Sequence, residues 1–241
     1  PDGLQQTEVD GRLLRVGEAV DRFYVLENNG IYLSDAEVPV KDGKKMTVNG
    51  VELKAGDPKW GDRNGDNKIT DEDKVLKGHS LPKYTGGFST QLKFKRFDLG
   101  ASFFFAAGQS AMNYRAYQQY DFTTLDKGDN LAGVKEIFFW QSGNVPMDYP
   151  RYNVLSGVHP YRADQDLYLE KVSYLKLRSV TLGYSVPAPK HDVYVYVSGN
   201  NLFTVSNFSG DDPELVDFDG YYRGYGMGIP RSVTLGVRCS F

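Results

Sequence analysis

Apolar residues recur at every second position over several long runs of this chain. In TGGFSTQLKFKRFDLGASFFFAAG, Phe88, Leu92 and Phe94 share one parity, with Thr90 between them. Beyond a polar break at Lys95–Arg96, Phe97, Leu99, Ala101, Phe103 and Phe105 again share a parity. Successive side chains of a strand point to opposite sides, so alternation on both sides of a tight turn predicts a β-hairpin with one apolar face. The same period returns three times near the C-terminus. Val180, Leu182, Tyr184 and Val186 fall in one register, and Val193, Val195 and Val197 oppose Tyr194, Tyr196 and Ser198. Finally Val233, Leu235, Val237, Cys239 and Phe241 alternate with Ser232, Thr234, Gly236, Arg238 and Ser240. The N-terminal quarter is choppier. RFYVLENNGIYLSD predicts two strands around ENNG, and VKDGKKMTVNGVELKAGDPKW, rich in Asp-Gly and Asn-Gly, predicts short hairpins. GHSLPKYTGG marks a boundary.

The connections between the long strands differ in length by side. Lys95–Arg96 and Pro187 to Asp192 are short, whereas Gln109 to Asp166 and Asn207 to Ile229 are long. Within the first long connection, GDNLAGVKEIFFW predicts a short helix with Asp129 as N-cap. A sandwich has no reason to segregate loop length in this way, but a transmembrane β-barrel has, with short turns at one rim and long loops at the other. An arm of about ten residues suffices to cross a bilayer when tilted. One face would then meet lipid, with Phe88, Leu92, Phe103, Leu182, Val195 and Val237 on it, and the other a wet lumen. A final strand ending on Phe241 suits a barrel, although alone it equally suits the closing strand of any β domain.

Composition trims the alternatives. At 241 residues the chain can form one β domain or two small ones. A net charge of -3 with interspersed signs gives no electrostatic case for nucleic acid. The one cysteine, Cys239, excludes an internal disulfide framework and a cysteine-based zinc cluster. No secretory signal is visible at the start, and there is no apolar run of about 18 residues for a membrane helix, which leaves a barrel open.

One stretch carries candidate ion chemistry. In DRNGDNKITDED, Asp62, Asn64 and Asp66 occupy positions 1, 3 and 5 of a twelve-residue oxygen-ligand loop. Lys68 falls at position 7, where only its carbonyl would ligate, Thr70 at 9 and Asp73 at 12. Alternate spacing turns every second side chain toward one centre, and calcium wants six to eight such oxygens. Two positions depart from the EF-hand pattern: Asp73 stands where a bidentate Glu is usual, and Asn67 where Gly makes the turn. Asn tolerates the left-handed conformation better than most residues. Gly56, Pro58 and Gly61 argue against a leading helix, so a single structural site of weak affinity, about 10⁻⁴–10⁻³ M, is expected rather than a sensor. The bland alternative is a solvated acidic turn.

Several stretches taken together resemble the SusC/RagA-like TonB-dependent outer-membrane transporters. They are RVGEAVDRFYVLENNGIY, GDPKWGDRNGDNKITDEDKVLKGHSLPKYTGGF, YLKLRSVTLGYSVP, VYVYVSGNNLFTVSNFSGDDPE and GIPRSVTLGVRCSF. The resemblance implies an all-β fold: about the last five strands of a 22-stranded transmembrane β-barrel with long extracellular loops. One loop would carry the EF-hand-like calcium loop. Residues 1–83 would form an extracellular loop region with small hairpins, and 84–241 the barrel strands. The plug, the remaining strands and the TonB-contacting segment would lie elsewhere in the transporter. Implied too are TonB-energised import of oligosaccharides or peptides across the bacterial outer membrane, a SusD-like surface lipoprotein as lid, and a dimer of transporter–lipoprotein pairs. The matched acidic loop, Asp62, Asn64, Asp66, Lys68, Thr70 and Asp73, would pin an external loop by holding structural calcium.

Candidate cargo contacts are the loop aromatics Trp60, Trp140, Tyr221, Tyr222 and Tyr225, whose faces could stack on sugars or peptide side chains. Packing between loops, or against the lid, is the competing role for each. Gly224, Gly226 and Gly228 read as a mobile tip and not a phosphate cradle, lacking strand–helix context. The rival function is a secreted β-sandwich carbohydrate-binding module with a structural calcium ion. An enzyme is not expected. The carboxylates of GDDPE and TDED imply no facing pair, and His79, His159 and His191 are scattered.

Overall fold

The computed structural model describes residues 5–9, 12–120, 149–151, 157–187, 192–225 and 227–240. The chain divides into two units, Pro1–Gly78 with Met112–Leu169, and His79–Ala111 with Glu170–Phe241. This differs from the division at 83/84 drawn from the sequence. The far end of the long connection returns to the first unit, where the Leu26 amide donates to the Asp164 carbonyl and the Asp166 amide to the Leu26 carbonyl.

The first unit is built from short strands: β1 (Gln6–Val9), β2 (Arg12–Arg15), β3 (Phe23–Val25), β4 (Asn28–Ile31), β5 (Val40–Lys41), β6 (Lys44–Lys45), β7 (Thr47–Val48), β8 (Val51–Glu52), β9 (Pro58–Trp60), β10 (Lys68–Ile69) and β11 (Val75–Lys77), with a helix α1 (Tyr114–Tyr120). The Asp-Gly and Asn-Gly signals become two-residue hairpin turns. Asp42 and Gly43, then Asn49 and Gly50, take positive φ of 52°, 73°, 50° and 76°, the backbone that matches strand twist. The ENNG reading is corrected. Asn28, Asn29 and Gly30 lie inside β4, and the strands on either side of Leu26 do not pair with each other: β3 pairs with β11 and β4 with β9. The core gathers Leu26, Tyr32, Val38, Met46, Val48, Leu53, Trp60, Ile69 and Val158. Beside it, fully buried Asp57 receives a two-pronged ion pair from Arg151, at 2.7 and 3.1 Å.

The second unit holds the long strands: β12 (Tyr84–Phe94), β13 (Phe97–Asn113), β14 (Leu169–Val186), β15 (Asp192–Ser206) and β17 (Ser232–Ser240), neighbours in that order, with the short β16 (Tyr221–Tyr222) pairing β13. The predicted alternation sets the register. Phe88 faces Phe103, Leu92 faces Leu99 and Phe94 faces Phe97 across the Lys95–Arg96 turn. Leu182 faces Val197, which faces Leu235, and Tyr184 faces Val195, which faces Val237. The neighbouring ladder rows are polar: Thr181, Ser198 and Thr234, then Gly183, Tyr196 and Gly236. Here rings lie against glycines. A Cβ on Gly183 would come 1.8 Å from the Tyr194 hydroxyl, and one on Gly236 would come 2.3 Å from the Tyr196 ring.

The motif SGNNLFT acquires a physical reason at this point. The β14–β15 register shifts between Leu177 and Ser179, and Asn201 takes a φ of 53° opposite the irregularity. Asn is the side chain that tolerates this backbone and bonds locally; its amide donates to the Pro230 carbonyl at 3.4 Å. Above the bulge the surroundings change. Ala111, Val172, Phe208 and Tyr222 form a small core. Lys176 is 1% exposed, its ammonium held by Glu214 and, at 3.7 Å, by Asp212. Apolar residues of the long strands have no such cover: Phe94, Val233 and Leu235 are 70%, 70% and 76% exposed.

Candidate functional site

The acidic loop lies in the first unit between β9 and β11. The Gly61 amide donates to the Glu27 carbonyl, and the chain then turns on its own side chains. Asp62 accepts from the amides of Gly65 at 2.7 Å and Asn67 at 2.9 Å. Asn64 accepts from Asp66 at 3.0 Å, and Asp66 from Lys68 at 2.8 Å. Asn67 does the work of the missing glycine, with a φ of 67°, and its side chain anchors to the Lys44 carbonyl. β10 then pairs in parallel with β7, which sends Ile69 into the core, 2% exposed, and leaves the Lys68 side chain outside.

Asp73 plays a part that spacing alone did not reveal. It is fully buried and joins the two ends of the loop, one carboxylate oxygen taking the Arg63 amide and the other the Thr70 amide, both at 2.8 Å. Thr70 in turn accepts from Glu72, completing a reciprocal cap on the 3-10 turn Asp71–Asp73. The donor set of Asp62, Asn64, Asp66, Lys68, Thr70 and Asp73 is all oxygen, which suits a hard cation. Each carboxylate oxygen that accepts one amide retains a further lone pair. The carboxylates are turned on the loop's own amides, and among the described residues no three His, Cys, Asp or Glu side chains are grouped to hold a metal.

Ion pairs between residues far apart in the chain, which no local pattern announces, brace the loop from outside. Lys77 bridges Glu27 at 3.0 Å and Asp166 at 2.5 Å. Lys74 bridges Asp71 at 2.9 Å and Asp164 at 2.8 Å, and Arg162 also holds Asp164. Burial works to raise the Asp164 pKa, but Arg162 and Lys74 outweigh it and hold the carboxyl below its ordinary range. Lys74 and Lys77 are shifted up: burial opposes this, and their carboxylate partners prevail. Hydrogen bonding to Lys77 is the largest cause of the lowered Glu27. Gln165, fully buried, is the polar hub of this region. It accepts from the Trp60 indole at 2.9 Å and donates to the Pro160 carbonyl at 2.8 Å.

The candidate aromatics separate. Trp60 is 3% exposed, in the core, with its N–H on Gln165 and the Arg162 guanidinium 5.9 Å from its ring centre. Tyr222 is 1% exposed, edge-on to Phe208 at 5.1 Å, with its hydroxyl donating to Asp211. Neither offers a face to cargo, because each fills the core of its own unit; the expectation of open loop faces is corrected for both. Tyr221 is half-buried under Arg223, whereas Tyr225 is 72% exposed. Trp140, Asp129 with its predicted helix, and Phe241 lie outside the described residues. The GDDPE carboxylates resolve into structure: Asp212 caps the 3-10 turn Pro213–Leu215, and Glu214 pairs with Lys176.

No protein-family model matches the chain. The chain is similar to TonB-dependent receptor P26 of Formosa agariphila, 29% identical over 244 residues that take in 95% of this chain and 23% of that receptor. It is also similar to TonB-dependent receptor SusC of Bacteroides thetaiotaomicron, 27% identical over 195 residues, 75% of this chain and 17% of that one. Among solved structures it is similar to the RagAB peptide transporter, with a TM-score of 0.65 at 20% identity, covering 99% of this chain and 25% of that one. The RagAB peptide importer in its open-open state gives 0.63 at 20% identity, with coverages of 100% and 24%. The chain thus spans about a quarter or less of the length of the proteins it matches. The resemblance to SusC/RagA-like TonB-dependent receptors read from the sequence stands, for a part of such a protein. The mostly β-strand structure agrees with part of such a barrel, and no helix among the described residues is long and apolar enough to cross a membrane.

Proposed function

We propose that this chain is the C-terminal part of the 22-stranded barrel of a TonB-dependent transporter in the bacterial outer membrane, with the first unit and the long loops extracellular. One observation carries the reading: the row Leu182, Val197, Leu235 and its neighbours Tyr184, Val195, Val237 form one apolar face, while the rows between them are polar. Leu182, Leu235 and Val237 stay 48%, 76% and 62% exposed, where a water-soluble sandwich would bury them. Lipid covers that face and a wet lumen meets the other. At about 3.3 Å per residue, the 18 residues of β14 reach roughly 55–60 Å. That exceeds a hydrocarbon layer of about 30 Å, so the end carrying the buried Lys176 cluster stands in the aqueous region.

The transporter imports oligosaccharides or peptides, driven by TonB through residues outside this chain. A SusD-like lipoprotein closes its mouth, in a dimer of transporter–lipoprotein pairs. The names of the relatives support the transporter class, and the RagAB neighbours support a peptide cargo. A calcium ion, held by Asp62, Asn64, Asp66, the Lys68 carbonyl, Thr70 and Asp73, steadies the external segment. The all-oxygen donor set and the left-handed Asn67 support that assignment.

The test uses the complete transporter in bilayers, with Cys239 first replaced and a fluorophore placed at single cysteines. Probes at Val195 and Val237 are expected to be quenched by brominated lipid, and probes at Ser198 and Thr234 by aqueous iodide. Iodide reaching both sets equally would end the barrel reading.

A further inference from the structure

A polar recess of about 370 Å³ opens in the first unit between the Asn49–Gly50 turn, the strand and cap Lys68–Asp71, and Arg162. Its size is near the lower end for small-ligand sites, but its lining is unlike a drug pocket. Thr47, Asn49, Thr70, Asp71, Lys68 and Arg162 supply hydroxyl, amide and charged groups, and Ile69 is the one large apolar contributor.

Two cations reach this recess from separate parts of the chain, and their charges are not equally spoken for. Arg162 is fixed: Asp164 takes its fork, and its guanidinium lies 5.9 Å from the Trp60 ring centre. The acidic member, Asp71, is already held by Lys74 at 2.9 Å and lies 3.8 Å from Arg162. Lys68 forms no ion pair among the described residues. Parallel pairing with β7 places it at the recess, while the Asn49–Gly50 turn is locked by its two left-handed residues. The lining carries one uncompensated positive charge beside hydroxyl and amide groups on a braced frame.

We propose that this recess binds the carboxylate of a small hydrophilic ligand, with Lys68 as the principal charge partner and Arg162 as a second donor. Asn49, Thr47 and Thr70 take neighbouring polar groups. A carboxylate can come from an acidic sugar or from the free end of a peptide, and the recess selects for the group they share. The inference does not rest on the transport reading, since binding is measured at equilibrium.

Saturation-transfer NMR on the complete detergent-purified protein would use four probes: galacturonate, glucose, N-acetyl-dialanine and its amide. Either acid is expected to bind well above its neutral counterpart. Galacturonate alone would identify a sugar acid, the dipeptide alone a peptide end, and both together a site that reads the carboxylate alone. Lys68→Gln should weaken binding at least about tenfold, as loss of a charge-assisted hydrogen bond implies, and Lys68→Arg should restore most of it. Lys68 lies on the exposed side of β10, and folding of Lys68→Gln is checked by Trp60 fluorescence. Arg162→Gln should also weaken binding, with folding checked by Trp60 fluorescence. No binding of either acid, equal binding of acid and neutral partner, or an unaltered affinity in Lys68→Gln would overturn the proposal.

Discussion

The two units treat apolar side chains in opposite ways. In the first, Leu26, Val48, Leu53 and Val158 are completely buried around a hub of polar groups that are themselves satisfied. In the second, the apolar residues Phe94, Val233 and Leu235 of the long strands are left 70–76% exposed. Burying a Leu or Val side chain is worth about 1.5–3 kcal/mol, and on the barrel reading proposed above lipid supplies that burial. Polar groups are satisfied in both: Asp57 is paired with Arg151 and Asp73 takes two amides in the first unit, while the second pairs Lys176 with Glu214 and sets Thr181 on Ser198 at 2.9 Å and Tyr194 on Asp98 at 2.7 Å.

The sharpest way to break the contrast is inside the first unit. Arg151→Ala leaves Asp57 buried without its partner, and a loss of about 3–5 kcal/mol is expected, read from denaturant unfolding followed by Trp60 emission. Next comes the sheet. Leu182→Arg on the apolar face should cost about 2–4 kcal/mol in lipid. Its neighbour Thr181→Arg, on the polar face, should lose no more than its hydrogen bond, about 1 kcal/mol; refolding titrations of both into vesicles would compare them. Equal costs would mean that the faces do not meet different media. Calcium should affect only the first unit. At 10 mM and an affinity of about 10⁻⁴–10⁻³ M, the gain is roughly 1–3 kcal/mol. Asp62→Ala with Asp66→Ala should abolish it in calorimetry, leaving the sheet assembled.

Smallest is the pH effect. Asp164 and Glu27 sit below their ordinary values of 3.8 and 4.5. Their contribution is therefore complete above those values and is lost as pH falls through the lowered ones. Lys74 and Lys77 are raised above 10.5, so their contribution is complete below that value and disappears as pH climbs through the raised ones. The first unit should show a plateau from about pH 5 to about pH 10, and Asp164→Asn should flatten the acid limb of a melting-temperature profile.

Much of the second unit was legible because period two is a local property. The parity of Phe88 and Phe103, or of Val195 and Val237, follows from counting, and the register then pairs them. The Asn-Gly turn at Asn49 was equally local. What escaped depends on distant partners. Whether Trp60 or Tyr222 shows its face is decided by Gln165, 105 positions from the first, and by Phe208, 14 positions from the second. The return of residues near Asp164 to Leu26 is fixed by two backbone bonds that no composition announces. At the acidic loop, spacing located the oxygens but not their engagement with amides, and Asp73 read as a ligand position before it emerged as a bridge between Arg63 and Thr70.

That bridge has a mechanical corollary. Asp73 shuts the ring from within, tying Arg63 to Thr70 through their backbone amides, so the outline is written in the chain itself; on the proposed reading, a cation would enter as a tenant and not as the builder.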